Sequence, residues 1–267
     1  MLLLPLIGKY YSGEFPDITN AYAWFTDKLQ IVGPNAAPYT MPHLLDIDKD
    51  FESLVNSTIP EMGTGMSGLK VLVKEIDEDS IDVGSRLASA MADAKQYPGV
   101  PQLVLDNLTG EILNVVYEND KLYLKTLMSI HIDTCGEAVE TPLTIESDGT
   151  RRIIEYMPLL YAVTRHDAVY IVDEVERSIH PILIKDIINK LSKSTDTKGQ
   201  LIFTTHESAL LDQDIFRPDE IWFAQKDTDQ ATQLYPLSDF NIHKTANIEN
   251  GYLNGRYGGI PFLPSLP

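Results

Sequence analysis

The stretch AVYIVDEVERSIHP, Ala168–Pro181, decides how the rest of the chain is read. Four apolar residues, Val169 to Val172, run straight into two adjacent carboxylates, Asp173 and Glu174. A short apolar run of this kind fits a strand buried within a parallel sheet. Such sheets bind their ligands outside the carboxyl ends of the strands, where nucleotide phosphates sit. The pair suits that edge, where Asp173 would hold Mg²⁺ through water and Glu174 would polarise an attacking water, or it is simply a solvated strand end.

Reading outward, helices and strands alternate. PILIKDIINKLSKS is an amphipathic helix with Pro181 in its first turn and Ile184, Ile187, Ile188 and Leu191 on one face. QLIFTT is a second buried strand, and Leu201–Phe203 is expected to lie parallel and adjacent to Val169–Val172, both strands away from the sheet's edge. EIWFAQKDTDQATQLYPL reads as a closing hairpin. Upstream, GTRRIIEYMPLLYAV is helical, with Pro158 expected to kink or end it. EILNVVYENDKLYLKTLMSIHI reads as two strands around Glu118-Asn119-Asp120. The region from HLLDIDKDFESLV to LASAMADAKQ is mostly helical, interrupted by a strand in which Leu69, Val71 and Val73 alternate with polar or small neighbours. ITNAYAWFTDKLQIV fits a short helix, with Trp24 and Leu29, leading toward a strand. The pattern predicts an α/β fold with a mostly parallel sheet and packed helices.

Composition narrows the function. The 267 residues carry 39 acids against 21 bases, a formal charge of −18. So acidic a surface repels phosphate backbones and argues against a broad nucleic-acid footprint, although acidity for solubility alone explains it equally. Cys135 is the one cysteine, which excludes an internal disulfide and fits a reducing compartment. No apolar run approaches the roughly 20 residues of a membrane span, and MLLLPLIG is too short for a signal core. The expectation is a soluble cytoplasmic protein that does not engage a membrane.

Two glycine motifs mislead. GTGMSG, Gly63–Gly68, matches the dinucleotide fingerprint by letter, but it opens a strand instead of a helix and reads as a turn. Gly8-Lys9-Tyr10 lacks a glycine five residues earlier and has Tyr10 in place of the Ser or Thr that would hold Mg²⁺. On this reading the chain has no lysine-bearing phosphate loop. Two further segments complete the set. Ser147, Asp148 and Gly149 lie at an expected helix start, which offers free N–H groups to a phosphate or is simply an N-cap. LIFTTHES ends its strand in Thr204, Thr205 and His206; His206 could donate to a γ-phosphate or be structural. Arg151 and Arg152 could reach a phosphate or a carboxylate across an interface, or be surface charges of a helix. Glu176 is either a third metal ligand or a solvated carboxylate.

The order of these segments resembles ABC-type ATPase heads, including the SMC and recombination-repair ATPases. It is closer still to bacterial AAA-domain ATPases of abortive-infection and anti-phage systems. In that resemblance SDGT looks like the signature motif, IVDEVERSIHP like Walker B with its D-loop, and IFTTHES like the switch-histidine strand. The tail RPDEIWFAQKD…LYPLSDF…GYLNGRYGGIPFL is similar to the family's carboxyl-terminal stretch. The resemblance implies a P-loop NTPase-like fold, divided here into residues 1–144, a partial amino-terminal lobe with a helical and hairpin insertion, and 145–267, the carboxyl-terminal ATPase lobe. It implies ATP and Mg²⁺ as cofactors, Asp173 for the metal, Glu174 and His206 as catalytic residues, and Ser147, Asp148 and Gly149 facing a partner's nucleotide in a head-to-tail homodimer. The family's Walker A loop is expected far upstream, in a lobe this chain lacks, so the chain is expected to be a fragment or truncation that hydrolyses ATP poorly alone. Nucleic acid would then be met only through missing regions. The alternative is a non-catalytic interaction module that keeps the fold and binds a nuclease or toxin effector. A nuclease site built on Asp173, Glu174 and Glu176 ranks below both, because the net charge opposes it.

Overall fold

The computed structural model describes residues 3–11, 13–33, 40–78, 85–106, 109–243 and 246–260. The chain forms two compact units, residues 1–34 with 167–267, and residues 35–166. Residues 145–166, grouped by sequence with the carboxyl-terminal lobe, therefore fall in the second unit.

The first unit carries a fully parallel three-stranded sheet of β1 (Leu29–Val32), β7 (Val169–Val172) and β8 (Gln200–Phe203), in the order β1-β7-β8. The fold is α/β, as the sequence pattern predicts. Adjacency and direction of the two expected strands hold, but β8 ends the sheet among the described residues. Nothing there pairs with its outer side, and Ile202 is 46% exposed. Tyr170 and Val172 are buried, as are Ile184, Ile187 and Ile188 of α7 (Pro181–Lys193). His180 caps that helix through Nδ1, and Pro181 takes the first position, where a missing N–H costs nothing. Leu29, placed by sequence in a helix, begins β1; α2 (Pro16–Ala23) ends in one wide turn, Trp24–Lys28, before it. The opening apolar stretch is α1 (Leu3–Tyr10). The closing hairpin is β9 (Trp222–Lys226) with β10 (Thr232–Pro236), followed by α8 (Ile248–Leu253). Phe223 stacks on Tyr252 and Tyr257 in the small core beneath them.

The second unit is built on an antiparallel sheet larger than a hairpin. It contains β2 (Gly68–Glu75), β3 (Gln102–Leu105), β4 (Ile112–Glu118), β5 (Lys121–Ile132) and β6 (Ala138–Pro142). Twelve-residue β5 pairs with β2 along one side, and with β4 and then β6 along the other. Asn119 and Asp120 both take positive φ (51° and 62°), the geometry a two-residue hairpin turn requires. Gly63 and Gly65, also at positive φ, turn the chain into β2, so the GTGMSG stretch is a turn and not a cofactor loop. Among the described residues, the unit also contains the helices α3 (Met41–Ile47), α4 (Lys49–Thr58), α5 (Arg86–Gln96) and α6 (Asp148–Arg165). Helix α6 runs unbroken through Pro158 for 18 residues, correcting the expected early end. Ile154 and Met157, each 1% exposed, are fixed in a core with Phe51, Val55 and Ile59, and that packing outweighs the loss of one backbone bond.

Asp48 joins α4 to this core. Its Oδ1 accepts from the N–H groups of Asp50 and Phe51, and its Oδ2 accepts from the Tyr161 hydroxyl at 2.7 Å. The Phe51 N–H, then the Tyr161 hydroxyl, hold its carboxyl below the ordinary 3.8. A depressed carboxylate stabilises the fold above the unfolded pKa, and that contribution is lost as pH falls through the folded value. Asp48→Ala should therefore cost about 1 kcal/mol at pH 7, shrinking once pH drops below 3.8. Urea midpoints of both proteins at pH 7 and pH 3 check this; an equal gap at both would contradict it.

Candidate functional site

At the carboxyl edge of the parallel sheet the ladder runs one residue past β7. The Asp173 N–H donates to Val32 O and the Thr204 N–H to Val172 O, each at 2.9 Å. Thr204 then fastens the turn that follows. Its hydroxyl donates to Asp173 Oδ1 at 2.5 Å and accepts from the Glu174 N–H at 2.9 Å, while its carbonyl accepts from the Val175 N–H. Glu174 sits at φ 51°, a left-handed conformation that costs a non-glycine residue about 1–2 kcal/mol. The clamp from Thr204 compensates for that strain and ends the strand sharply, so the two acids leave in different directions from extended backbone. Strained residues held by over-determined surroundings cluster at functional sites.

Thr204 and the His206 backbone N–H bond the segment after β8 to the turn after β7, through Asp173, Glu174 and Glu176. Asp173 is exposed and keeps Oδ2 clear of Thr204; Glu174 is half-buried. Among the described residues, neither the Glu174 carboxylate nor the His206 imidazole has a hydrogen-bonding or ionic partner. Glu176 is neither of the things expected of it. Its Oε1 accepts from the His206 N–H at 2.8 Å and its Oε2 is buried without a partner, so it turns inward to hold the His206 backbone. Among the described residues no three acidic, His or Cys side chains converge as a bare metal site would need.

Ser147, Asp148 and Gly149 lie at the start of α6, in the second unit. Ser147 is the N-cap: its Oγ accepts from the Thr150 N–H at 3.1 Å and lies 2.8 Å from Thr150 Oγ1. Ser147→Ala should cost about 1 kcal/mol, seen as a lower thermal midpoint with unchanged secondary structure; no shift would show that Thr150 caps the helix unaided. Asp148 is exposed and pairs with Arg151. Arg152 is not the surface charge read from sequence. It is 5% exposed, bonded to Glu155 and the Tyr156 hydroxyl, each at 3.1 Å. Just ahead of the cap, Glu146 Oε1 takes hydrogen bonds from Ser129 and His131, both 2.7 Å, and so ties the helix start to β5.

A parallel sheet with an acidic pair at its carboxyl edge and a capped helix in a second unit is the setting in which the family comparison falls. Residues 31–212, more than half of the chain, match the family described as "AAA domain, putative AbiEii toxin, Type IV TA system". The chain belongs to this family. It is an AAA, P-loop ATPase-type domain, a class that binds nucleotide and usually Mg²⁺. No curated protein matches the chain. Among the described residues of this AAA domain, no helix is long and apolar enough to cross a membrane.

The residues fit Mg–ATP in part. Asp173, with one oxygen steadied by Thr204 and the other clear, suits a metal held through water, and unpartnered Glu174 suits a proton acceptor. The phosphate side is different, because the sequence contains no G-x-x-x-x-G-K-[ST].

Proposed function

We propose that this AAA domain is the metal-and-water side of an ABC-type ATPase site that works in a head-to-tail pair, within a bacterial defence or DNA-related system. Asp173 holds Mg²⁺, the bound ion supplying charge stabilisation for the transferred phosphoryl group. Glu174 Oε accepts a proton from the attacking water, and His206 donates to the γ-phosphate oxygens. Ser147, Asp148 and Gly149 present the α6 N-terminus to the nucleotide of a second copy. The observation that carries this reading is the Thr204 clamp. It presents an unpartnered Glu174 and an exposed Asp173 at the edge where open α/β sheets bind ligands. A non-catalytic role, binding a nuclease or toxin, is favoured only by the missing lysine. Phosphate release distinguishes the two: the chain alone should release almost none, and a strand–loop–helix segment bearing G-x-x-x-x-G-K-T, fused or in trans, should restore Mg²⁺-dependent release. No release in any combination would favour the binding module.

A further inference from the structure

Where the β9–β10 hairpin meets the segment that follows α8, the first unit holds a cleft of about 390 Å³, large enough for a small organic ligand. Gln225 and Gln233 line it from the hairpin, standing opposite one another in the antiparallel register. Their hydrogen bonds fix which way both amides face. Gln225 Oε1 accepts from the Gly259 N–H at 3.0 Å and lies 3.1 Å from the Tyr235 hydroxyl. A backbone N–H can only donate, so the oxygen stays there and Nε2 is left as a donor without a partner among the described residues. In Gln233 the roles reverse. Its Nε2 donates to Asp227 Oδ2 at 2.9 Å, a carboxylate that can only accept, and its Oε1 is left as a free acceptor. Gly258 permits this packing: it sits at φ 71°, and a Cβ there would come within 2.5 Å of the Tyr235 hydroxyl and 2.6 Å of Gln225 Oε1.

Aromatic rings and two cations complete the lining. Half-buried Phe240 meets buried Tyr257 edge to face, with ring centroids 5.2 Å apart. Arg256 and Lys226 are both exposed at the cleft. Neither has an ion-pair partner among the described residues, although the chain carries 39 acids for 21 bases. Asp227 also lines the cleft, but its carboxylate is engaged: Oδ1 accepts from the Asp229 and Ala231 N–H groups and Oδ2 from Gln233.

We propose that this cleft binds a small anion carrying a flat heteroaromatic ring, of the class of a nucleoside monophosphate. Arg256 and Lys226 take the anionic group, a planar fork and a point charge suited to phosphate. Phe240 offers the ring a stacking surface. The free donor of Gln225 and the free acceptor of Gln233 face a ring edge that itself presents acceptors and donors, as nucleobases do. A polynucleotide does not fit the same features, because a net charge of −18 repels an extended phosphate backbone. The cleft uses neither Asp173 nor Glu174 and needs no Mg²⁺, so it goes beyond the ATPase reading and does not depend on it.

Calorimetric titration of the full chain with AMP, GMP and CMP in EDTA tests this, the chelator removing any Mg²⁺-dependent binding. At least one nucleotide should bind with a Kd between about 10 µM and 1 mM. The matching nucleoside and inorganic phosphate should each bind at least about tenfold more weakly. Arg256→Gln with Lys226→Gln should weaken the nucleotide by about tenfold or more, equivalent to about 1.4 kcal/mol. Phe240→Leu should weaken it as well. Should that variant fold poorly by circular dichroism, the exposed Arg256 and Lys226 pair carries the test, and NMR of the unaltered chain should show the Gln225 and Gln233 side-chain amides shifting on titration. No binding by any of the nucleotides, or binding unchanged without both cations, overturns the assignment. So does phosphate binding as tightly as nucleotide, which would make the cleft a bare anion site. The two readings fail separately. Nucleotide binding in EDTA with no phosphate release in any combination sinks only the catalytic reading, and restored release without such binding sinks only the cleft.

Discussion

In a form of this protein supplied with a phosphate-loop lysine, Glu174→Gln is expected to lower ATP turnover by about 10²–10⁴-fold, the range a positioned general base contributes. Glutamine keeps the size of the side chain and the φ 51° backbone of residue 174, and leaves untouched the N–H bond to Thr204. What it loses is the capacity to take a proton from water. Nucleotide binding should therefore stay within about twofold of the parent, because phosphoryl-transfer sites bind through loop, metal and charge while the base acts only on the nucleophile. If the proposed head-to-tail pair forms on ATP and hydrolysis separates it, bound ATP should accumulate and hold that pair together. Single-turnover phosphate release, with the mass of the complex measured by light scattering, reports both effects. Unchanged turnover in the glutamine form would remove Glu174 from the chemistry.

The second large effect belongs to the other unit. Lys125, in the middle of β5, is 1% exposed, and its ammonium reaches Asp46 at 2.8 Å, Glu118 at 3.4 Å and His43 Nδ1 at 3.2 Å. Across the strand pair lies fully buried Asn114, whose side-chain oxygen accepts from the His43 N–H. The cluster fixes α3 against the β4–β5 hairpin. Removing one member of a buried ion pair leaves the others uncompensated, so Lys125→Ala should cost about 3 kcal/mol. That is the low end of the range, because Asp46 and Glu118 retain some water. Lys125→Met, which keeps the stem's packing, should cost less. Burial first, then the Lys125 charge, holds the His43 imidazole below its ordinary 6.5. A depressed histidine favours the fold above the unfolded pKa, so stability should decline as pH falls from 6.5 through the folded value. In Lys125→Met the His43 pKa should rise and that decline should weaken. Denaturant midpoints from pH 8 to 5 and the His43 ring titration by NMR measure both. A Lys125→Ala protein as stable as the parent would contradict the assignment.

These cases also show what the letters can carry. β7, β8, the β4–β5 hairpin and α7 were legible because each announces its own periodicity: unbroken apolar runs, alternation around Asn119-Asp120, or Ile at helical spacing. The carboxyl end of β7 was legible too, since Asp173 and Glu174 directly follow the apolar run Val169–Val172. Lys125 was not, because a lysine inside an alternating strand reads as solvent-facing. Only the folded chain brings Asp46 and Glu118 to it from elsewhere in the sequence. Pro158 misled for a similar reason, since local propensity ignores the core that α6 packs into. The inward turn of Glu176 depends on the His206 N–H, 30 residues away.

The most direct measurement is phosphate release by the unaltered 267 residues in Mg²⁺ and millimolar ATP, beside the same protein carrying Glu174→Gln. The account predicts that both sit at background, because an acidic edge without a phosphate-binding lysine cannot position the nucleotide it would hydrolyse. Robust release by the unaltered chain, abolished by Glu174→Gln, would show that these residues already hold the phosphates without a G-x-x-x-x-G-K-[ST] loop and would contradict the account.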